Sequence, residues 1–266
     1  MNQALNIILP PELELYRSRI ETTFKPYVKI SAKNDASLSL WQSKFRGLPY
    51  LPKSQQYPKG SNGRPLFLLA QINFEEIPKL EPFPTKGILQ FYIADDDLYG
   101  LDFDDMTSQE NFRVLFFPEI TKDESRLLTD FDFLPSFDYA PVSDPCSLTF
   151  AQHFEPISAV DYQFEQKIFD DSPPEPREKL FAIWDIYAET FPSNGHKLGG
   201  YPDFTQSDPR GYDKYYGRGF NLLLQIDSDD KANIMWGDVG IGNFFIREGD
   251  LKKSDFSTIL YSWDCH

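Results

Sequence analysis

Short apolar runs separated by Pro, Gly and Asp make up most of this chain. Runs of this kind, rich in Phe, Ile and Leu and bounded by turn residues, are typical of β-strands. No long helical pattern alternates with them, which disfavours a doubly wound parallel sheet. The pattern predicts six strands, namely Leu66–Asn73, Gly87–Ala94, Phe112–Phe117, Phe220–Asp227, Ile241–Arg247 and Thr258–Trp263.

Two segments have helical spacing instead. Over residues 11–25 apolar side chains recur every three or four positions until Pro26 stops the run. Over residues 173–191 the pattern is stronger, and Ser172 with Glu175 has the spacing of a capping box. The apolar face of this second helix is predicted to be core, and it consists of Leu180, Ile183, Trp184, Tyr187 and Phe191.

The two sets of three strands repeat each other in order and spacing. Gln71 in LLAQIN matches Gln225 in LLLQID, and Phe91 in GILQFYI matches Phe244 in GIGNFFI. A loop rich in Gly and Pro precedes each set of strands, and a helix begins each half. This agreement predicts two diverged copies of one unit, in which a helix and a Gly/Pro loop lead into a β-meander.

The predicted fold is therefore α+β and predominantly antiparallel β. We expect residues 1–266 to form a single compact domain, with internal repeats at about 10–118 and 172–266 related by pseudo-twofold symmetry. The segment 119–171 does not fit the repeat, and its many Asp and Phe residues suggest connecting structure with extra edge strands. Because the repeats already pack on each other, we expect a monomer.

Composition narrows the class of protein. The 24 Phe and 14 Tyr residues are enough to fill a substantial core, so a disordered chain is not expected. The formal net charge of −15 disfavours nucleic acid as a partner and suits a protein with a basic surface. No apolar run has the roughly 20 residues of a membrane helix. The two Cys residues form no disulfide framework, so we expect a cytoplasmic protein.

Long strings in both halves resemble the YwqG-like family, a bacterial domain family. The matching strings are SKFRGLPYLPKSQQYP, PLFLLAQINFEEIP and GILQFYIADDDLYGLDF in the first half, and HKLGGYPDFTQSDPR and MWGDVGIGNFFI in the second. The chain departs from the family at Arg46-Gly47, where two adjacent glycines are expected. The resemblance spans nearly the whole chain and implies an α+β fold with much antiparallel sheet. It implies no reaction.

Common catalytic and metal-binding motifs are absent from the sequence. The three His residues have no partner at i+4, HExxH and CxxC do not occur, and there is no GxSxG elbow. The glycines of WGDVGIG precede a predicted strand, so a turn or bulge explains them better than a phosphate loop does. We therefore expect no metal and no cofactor.

The acidic run from Asp95 to Asp105 invites comparison with a calcium loop. Read as an EF-hand from Asp95, it has Tyr99 at the fifth position and Met106 where the terminal Glu belongs. The run therefore does not fit an EF-hand. A solvated loop after the second predicted strand is the preferred interpretation, and an irregular calcium site stays open.

The two Gly/Pro loops and their surroundings are the candidate ligand site. The functional hypothesis places a groove between the halves, lined by both loops with Trp41 and Trp236 nearby. The structural alternative is that Gln71 and Gln225, in otherwise apolar strands, each bind the backbone of their own loop and hold it in place. The candidate residues are Tyr50, Gln71, His196, Tyr201, Asp203, Gln206, Asp208, Arg210, Gln225, Trp236 and Asp238.

Three functions stay open on the sequence. The favoured one is a non-catalytic binding protein, for example an immunity-like factor that masks a basic effector. The second is a module that binds a small molecule or a sugar through aromatic and amide side chains. The third is a hydrolase that uses paired carboxylates, such as Asp203 with Asp208 or Asp238, as general acid and base.

Overall fold

A computed structural model describes residues 7–169 and 176–266 of the chain. In this part of the chain ten strands form one sheet, and every neighbouring pair of strands is antiparallel. The strands are β1 (Lys25–Asn34), β2 (Lys44–Phe45), β3 (Phe67–Asn73), β4 (Ile88–Ile93), β5 (Phe112–Phe117), β6 (Cys146–Glu155), β7 (His196–Gly199), β8 (Phe220–Asp227), β9 (Ile241–Arg247) and β10 (Ile259–Asp264).

The helices are few and short. A 3₁₀ turn, Pro11–Tyr16, leads into α1 (Arg17–Thr23), α2 is Arg177–Thr190, and α3 is Glu248–Lys252. The first predicted helix ends before Lys25, because Phe24 already has extended backbone angles and β1 begins directly after it. The predicted capping box, Ser172 with Glu175, lies outside the described residues. No helix of the described chain is long and apolar enough to cross a membrane.

The order of strands across the sheet is β10-β9-β8-β7-β1-β6-β2-β3-β4-β5. Each of the two predicted sets of three strands forms one wing, β3-β4-β5 or β8-β9-β10, and a short strand, β2 or β7, precedes each wing. The sheet is thus β-rich and antiparallel as predicted, and each wing is a meander of neighbouring strands in chain order.

The centre of the sheet was not predicted. β1 and β6 pair over ten residues, from Lys25 opposite Glu155 to Asn34 opposite Cys146. The expectation that segment 119–171 adds edge strands was wrong, because β6 lies between β1 and β2. Seven of the ten residues of β6 are polar or small, and five are exposed and three half-buried. A strand with so little apolar alternation has a weak sequence signal even when its backbone is fully paired.

The sheet curls until its two edges nearly meet. Phe91 of β4 and Phe244 of β9 have ring centroids 4.9 Å apart, and Phe112 of β5 lies 5.2 Å from Tyr261 of β10. The N–H of Tyr261 donates to the carbonyl of Met106, 2.9 Å away, in the loop before β5. The main hydrophobic core fills the inside of this curl. Side chains that alternate with these core residues therefore point to the outer face.

A second, smaller core lies between the helices. Leu13, Ile20 and Tyr187 are fully buried there. The prediction that the apolar face of α2 is core is confirmed, since all five of its residues belong to this cluster or pack against it. Two of them are also anchored by hydrogen bonds: Trp184 donates to the carbonyl of Ala159 at 2.8 Å, and Tyr187 to that of Ile157 at 2.7 Å.

Candidate functional site

Gln71 holds the first Gly/Pro loop in place. Its Oε1 accepts a hydrogen bond of 2.8 Å from the backbone N–H of Tyr50. Its Nε2 donates to the carbonyls of Leu40 and Gln42, each at 2.8 Å. The side chain is completely buried, so these bonds satisfy an amide that burial would otherwise leave unpaired.

Gln225 does the same for the second loop. Its Oε1 accepts from the N–H of Asp203 at 2.7 Å, and its Nε2 donates to the carbonyls of Ser193 at 3.1 Å and Gly195 at 2.8 Å. The structural interpretation of the two glutamines is thus confirmed, because each binds the backbone of its own half. Neither amide is free for a ligand.

A second buried amide supports each loop from the next strand. Gln90 Nε2 donates to the carbonyl of Tyr50 at 2.7 Å, and Asn243 Nδ2 donates to that of Asp203 at 2.8 Å. The remaining oxygens differ. Oε1 of Gln90 accepts a hydrogen bond of 3.0 Å from Tyr92, whereas Oδ1 of Asn243 is buried without a partner.

Three buried oxygens that have no hydrogen-bond partner in the described chain lie in the second loop or on the strands that support it. Besides Asn243 Oδ1, they include Thr205 Oγ1 and Ser262 Oγ, and Ser262 lies directly opposite Asn243 across β9 and β10. The residue opposite Gln90 in the first half is Leu115, which has no such group. Each unpaired group costs about 1–3 kcal/mol. A polar ligand or water at this place would offset that cost.

The predicted groove between the two loops does not form. The loops are fastened to the outer faces of β3–β4 and of β8–β9, and four strands lie between β3 and β8. Trp41 packs in a cluster with Tyr50, while Trp236 packs against Tyr99 and Trp263. Side chains of the two loops therefore belong to separate surfaces.

An aromatic pocket of about 320 Å³ lies beside the second loop, between that loop and the edge strand β10. The exposed fractions of Phe103 and Tyr212 are 62% and 46%, which is high for rings of this size. Because large exposed rings beside a concave surface lose water contact when a ligand binds, they favour binding there. The lining consists of Phe103, Met106, Phe204, Gln206, Ser207, Pro209, Tyr212, Lys214, Tyr215, Ser262, Trp263 and Asp264.

Polar groups fix the shape of this pocket. Asp264 accepts hydrogen bonds from the N–H groups of Thr205 at 3.1 Å and Gln206 at 2.9 Å. The Nε2 of Gln206 donates to the carbonyl of Cys265 at 2.7 Å, and its Oε1 accepts no hydrogen bond within the described chain. Ser207 and Tyr212 share a hydrogen bond of 2.8 Å. The lining of the pocket therefore includes the free amide oxygen of Gln206 and Ser262, whose buried hydroxyl has no partner in the described chain.

Among the predicted site residues, Gln206 alone lines this pocket. Sequence reasoning missed Ser262, Trp263, Asp264 and Phe103. One signal could have found Ser262: the comparison of the two halves puts a polar residue where the first half has Leu115.

Asp208 and Arg210 form a buried ion cluster behind the second loop. Arg210 Nε lies 2.9 Å from Asp208 Oδ1, and its Nη2 lies 2.7 Å from Asp161 Oδ2. Burial alone would lower the pKa of Arg210, but Asp161 and Asp208 keep it above its ordinary value. Asp208 is therefore committed to an ion pair. In addition, burial raises the pKa of Asp203, although the N–H of Phe204 donates to its carboxylate.

Tyr201 belongs to the same buried region. Its hydroxyl donates to the carbonyl of Thr23 at 2.7 Å, and its N–H donates to Glu155 at 2.6 Å. Glu155 in turn binds Lys197 Nζ at 2.9 Å. Tyr201 thus joins the second loop to α1 and to the end of β6.

His196 is a structural residue at the start of β7. Its Nδ1 accepts a hydrogen bond of 3.0 Å from the N–H of Asp227, and its Nε2 lies 3.5 Å from Asp229. Burial lowers the pKa of His196 to about 4, and Asp229 only partly counteracts this effect. In the first half Ser43 takes the corresponding place, with its Oγ accepting from the N–H of Asn73 at 2.8 Å.

Trp236 and Asp238 differ in burial, although they are only two residues apart. Trp236 is fully buried, and Gly242 of β9 packs so closely under its ring that a Cβ would lie 2.4 Å from a ring carbon. Asp238 is exposed, and its carbonyl accepts from the N–H of His266 at 3.1 Å. Gly242 is thus a packing requirement within a strand.

The acidic run from Asp95 to Asp105 is a chain of turns. Asp95 accepts from the N–H groups of Asp138 and Tyr139, and Asp96 accepts from those of Leu98 and Gly100. Asp102 accepts from the two residues before Met106. Within residues 7–169 and 176–266, no group of three or more acidic, His or Cys side chains is arranged to hold a metal ion.

Comparison with known proteins gives a family without a reaction. A family model described as a domain of unknown function, DUF1963, matches residues 43–265. No curated protein matches the chain. The match begins just before β2 and includes both loops, the aromatic pocket and all strands except β1. The chain therefore belongs to the DUF1963 family, a family of unknown function.

Proposed function

We propose that this protein is a non-catalytic binding module whose aromatic pocket takes a small, uncharged, hydroxylated ligand with one apolar face, such as a pyranoside. The observation that carries the proposal is a pocket with exposed rings whose lining includes Ser262, a residue with a buried hydroxyl that has no partner in the described chain.

The rings suit the apolar face of such a ligand. Phe103 and Tyr212 are exposed, and Trp263 lines the pocket and packs against the main core. Aromatic rings offer large apolar area with little loss of side-chain entropy on binding. The C–H face of a sugar ring has the matching shape and polarity.

The polar groups suit hydroxyls more than charges. The Oε1 of Gln206 needs a donor, whereas the hydroxyl of Ser262 can both donate and accept, so a ligand hydroxyl suits both groups. The ammonium of Lys214 is already bound to the carbonyl of Asp104 and lies 3.5 Å from Asp105. The charges at the rim are thus largely matched by the protein, which favours a neutral ligand.

We also propose that the two halves are diverged copies related by a pseudo-twofold axis, as in a YwqG-like protein. Three features support this: the matching bonds of Gln71 and Gln225, those of Gln90 and Asn243, and a register shift at the same place in each wing. Features kept in both halves then serve the scaffold. The unpaired oxygens of Thr205, Asn243 and Ser262 occur in the second half, where a ligand site could evolve.

The pocket can be tested by titration with methyl glucosides, galactosides and mannosides. Tryptophan fluorescence should change saturably, because Trp263 lines the pocket. Ser262→Leu should weaken binding at least about tenfold by removing a hydroxyl and filling space. Leu115→Ala is the matched control in the first half and should bind normally. Absence of binding by all pyranosides at millimolar concentration, or equal binding by Ser262→Leu, would overturn the proposal.

A cytoplasmic protein partner with a basic surface is the second candidate. The net charge of −15 favours it, because charge complementarity accelerates encounter. A pull-down with a basic partner should weaken steeply as salt rises. Capture that is insensitive to salt would contradict this candidate and leave the pyranoside test unaffected.

A further inference from the structure

A second cleft, of about 250 Å³, lies at the start of β1, away from the aromatic pocket. Its walls are mostly apolar, and two glycines bring bare backbone to its edge. Lys25 is the cation in this cleft, and the carboxylates at the rim, Glu81 and Glu248, are paired with Lys79 and Lys252. The apolar walls are formed by Pro26, Leu80, Pro82, Phe83, Leu222 and Leu251.

Lys25 has an unusual environment for a partly buried lysine. Its Nζ lies 3.6 Å from the centroid of the Tyr201 ring, and within the described chain it has no hydrogen-bond acceptor. The nearby carboxylates are engaged elsewhere: Glu155 binds Lys197 at 2.9 Å, and Asp161 binds Arg210 at 2.7 Å. The amine is thus held by an aromatic face, has no protein acceptor in the described chain, and belongs to a partly exposed residue.

This environment disfavours the charged form of Lys25. Burial lowers its pKa to about 8, and Arg210 and Lys197 act in the same direction. Asp161 and Glu155 oppose the shift without cancelling it. At pH 7 about a tenth of such an amine is neutral, compared with about one part in 2,500 for an ordinary lysine.

We propose that Lys25 is a carbonyl-reactive amine that forms a reversible imine with a small aldehyde whose body is apolar. The neutral amine attacks the carbonyl carbon, and a proton moves from nitrogen to oxygen to give a carbinolamine. Loss of one water then forms the C=N bond, with no change of oxidation state. Lysines desolvated in an apolar pocket beside other cations are suited to this chemistry.

The chain contains a matched control for this proposal. Burial lowers the pKa of Lys44 also to about 8, against the opposing effect of Glu76. However, Lys44 is completely buried, and its Nζ donates to the carbonyls of Ser39 at 2.6 Å and Leu48 at 2.9 Å. If access to a cleft matters, Lys25 should react and Lys44 should not.

The test is reductive trapping. The full chain is incubated with benzaldehyde and sodium cyanoborohydride at pH 7, and each lysine adduct is quantified by peptide mass spectrometry. Lys25 should be labelled at least about tenfold faster than exposed lysines such as Lys53, with half-maximal rate near pH 8. Lys44 should stay unlabelled. Equal labelling of Lys25 and Lys53 would overturn the proposal.

Two further measurements distinguish labelling that depends on the cleft from labelling that depends only on the lowered pKa of the amine. The ratio of labelling at Lys25 to that at Lys53 should be higher with benzaldehyde than with formaldehyde, because the apolar walls contact a phenyl ring. An equal ratio would contradict the claim that the ligand has an apolar body. Lys25→Arg, which keeps a cation on the Tyr201 ring, should lose the adduct while its circular dichroism matches that of the natural protein.

Discussion

The two wings of the sheet hold their loops with the same kind of hydrogen bonds. They differ in whether every polar atom of the network has a partner. In the first wing Gln71 and Gln90 hold Tyr50, and the hydroxyl of Tyr92 completes the network. In the second wing Gln225 and Asn243 hold Asp203, yet the remaining oxygen of Asn243 has no partner.

This difference distinguishes polar residues that only hold the fold from those that could also bind a ligand. A network in which every buried polar group is paired makes a loop rigid and leaves nothing for a ligand to satisfy. The second network leaves three side-chain oxygens unpaired next to an aromatic pocket, which is where a ligand would gain most. The first wing thus shows a network that serves the fold alone, and the second contains unpaired groups that a ligand could satisfy.

The largest effect on the free energy of unfolding should come from replacing Gln71 or Gln225, the buried glutamines that hold the two loops. Gln71→Leu should lower the free energy of unfolding by about 3–5 kcal/mol, because two carbonyls and the N–H of Tyr50 lose their partner and Gln90 Nε2 loses one of its two hydrogen bonds. Gln225→Leu should cost slightly less, about 2–4 kcal/mol, because three groups lose their partner. Urea denaturation measures both.

Gln55→Leu is the control for this pair, since Gln55 is exposed and its side chain makes no hydrogen bond in the described chain. Its effect should stay within about 0.5 kcal/mol. If Gln71→Leu lowers the free energy of unfolding as little as Gln55→Leu does, the hydrogen bonds of Gln71 are not what holds the first loop.

An intermediate effect on stability should appear when the pH is lowered, because His196 is protonated more readily in the unfolded chain. Its pKa is about 4 in the folded protein and about 6.5 when unfolded, so the unfolded chain binds more protons between these values. Stability is therefore lost as pH falls from about 7 to about 4, by up to about 3 kcal/mol from this residue. Stability measured against pH should show that slope.

The first wing supplies the control variant. His196→Ser copies Ser43, which accepts the equivalent backbone hydrogen bond without a titrating ring. The variant should be less stable at neutral pH because it leaves a cavity beside Phe45, but its slope between pH 7 and pH 4 should be flatter. An unchanged slope would show that other groups cause the acid sensitivity.

The smallest effect on the free energy of unfolding should come from removing one hydroxyl, and its sign should differ between the two wings. Thr205→Val removes a buried hydroxyl that has no partner, and it should raise the free energy of unfolding by up to about 1 kcal/mol. Ser43→Ala removes a hydroxyl that is bonded to Asn73, and it should lower it by about 1 kcal/mol. A loss of stability in Thr205→Val would indicate that water already satisfies the hydroxyl.

Much of the fold was predictable because its wings are strongly apolar. The predicted strand Leu66–Asn73 differs from β3 by one residue, and Phe112–Phe117 coincides with β5. β1 and β6 were missed because their side chains are largely exposed or polar. β2 and β7 were taken for loops, since strands of two and four residues are too short to show a period.

The site was less predictable than the fold. The predicted repeat pointed to Gln71 and Gln225 correctly as residues that hold their loops, and Gln206 was one of the eleven candidate site residues. The sequence also suggested one groove with both loops in it, which the order of strands rules out. Phe103 and Ser262 are 159 residues apart in sequence and meet only because the sheet curls.

The sequence by itself determined the local elements of this protein, because apolar runs and turn residues act over a few positions. It also determined which polar residues had to be paired, since an amide in an apolar strand must find partners. The tertiary structure alone decided what lies between β3 and β8, and which oxygens stay unpaired. Those depend on strand order and curvature, which arise from contacts between residues far apart in sequence.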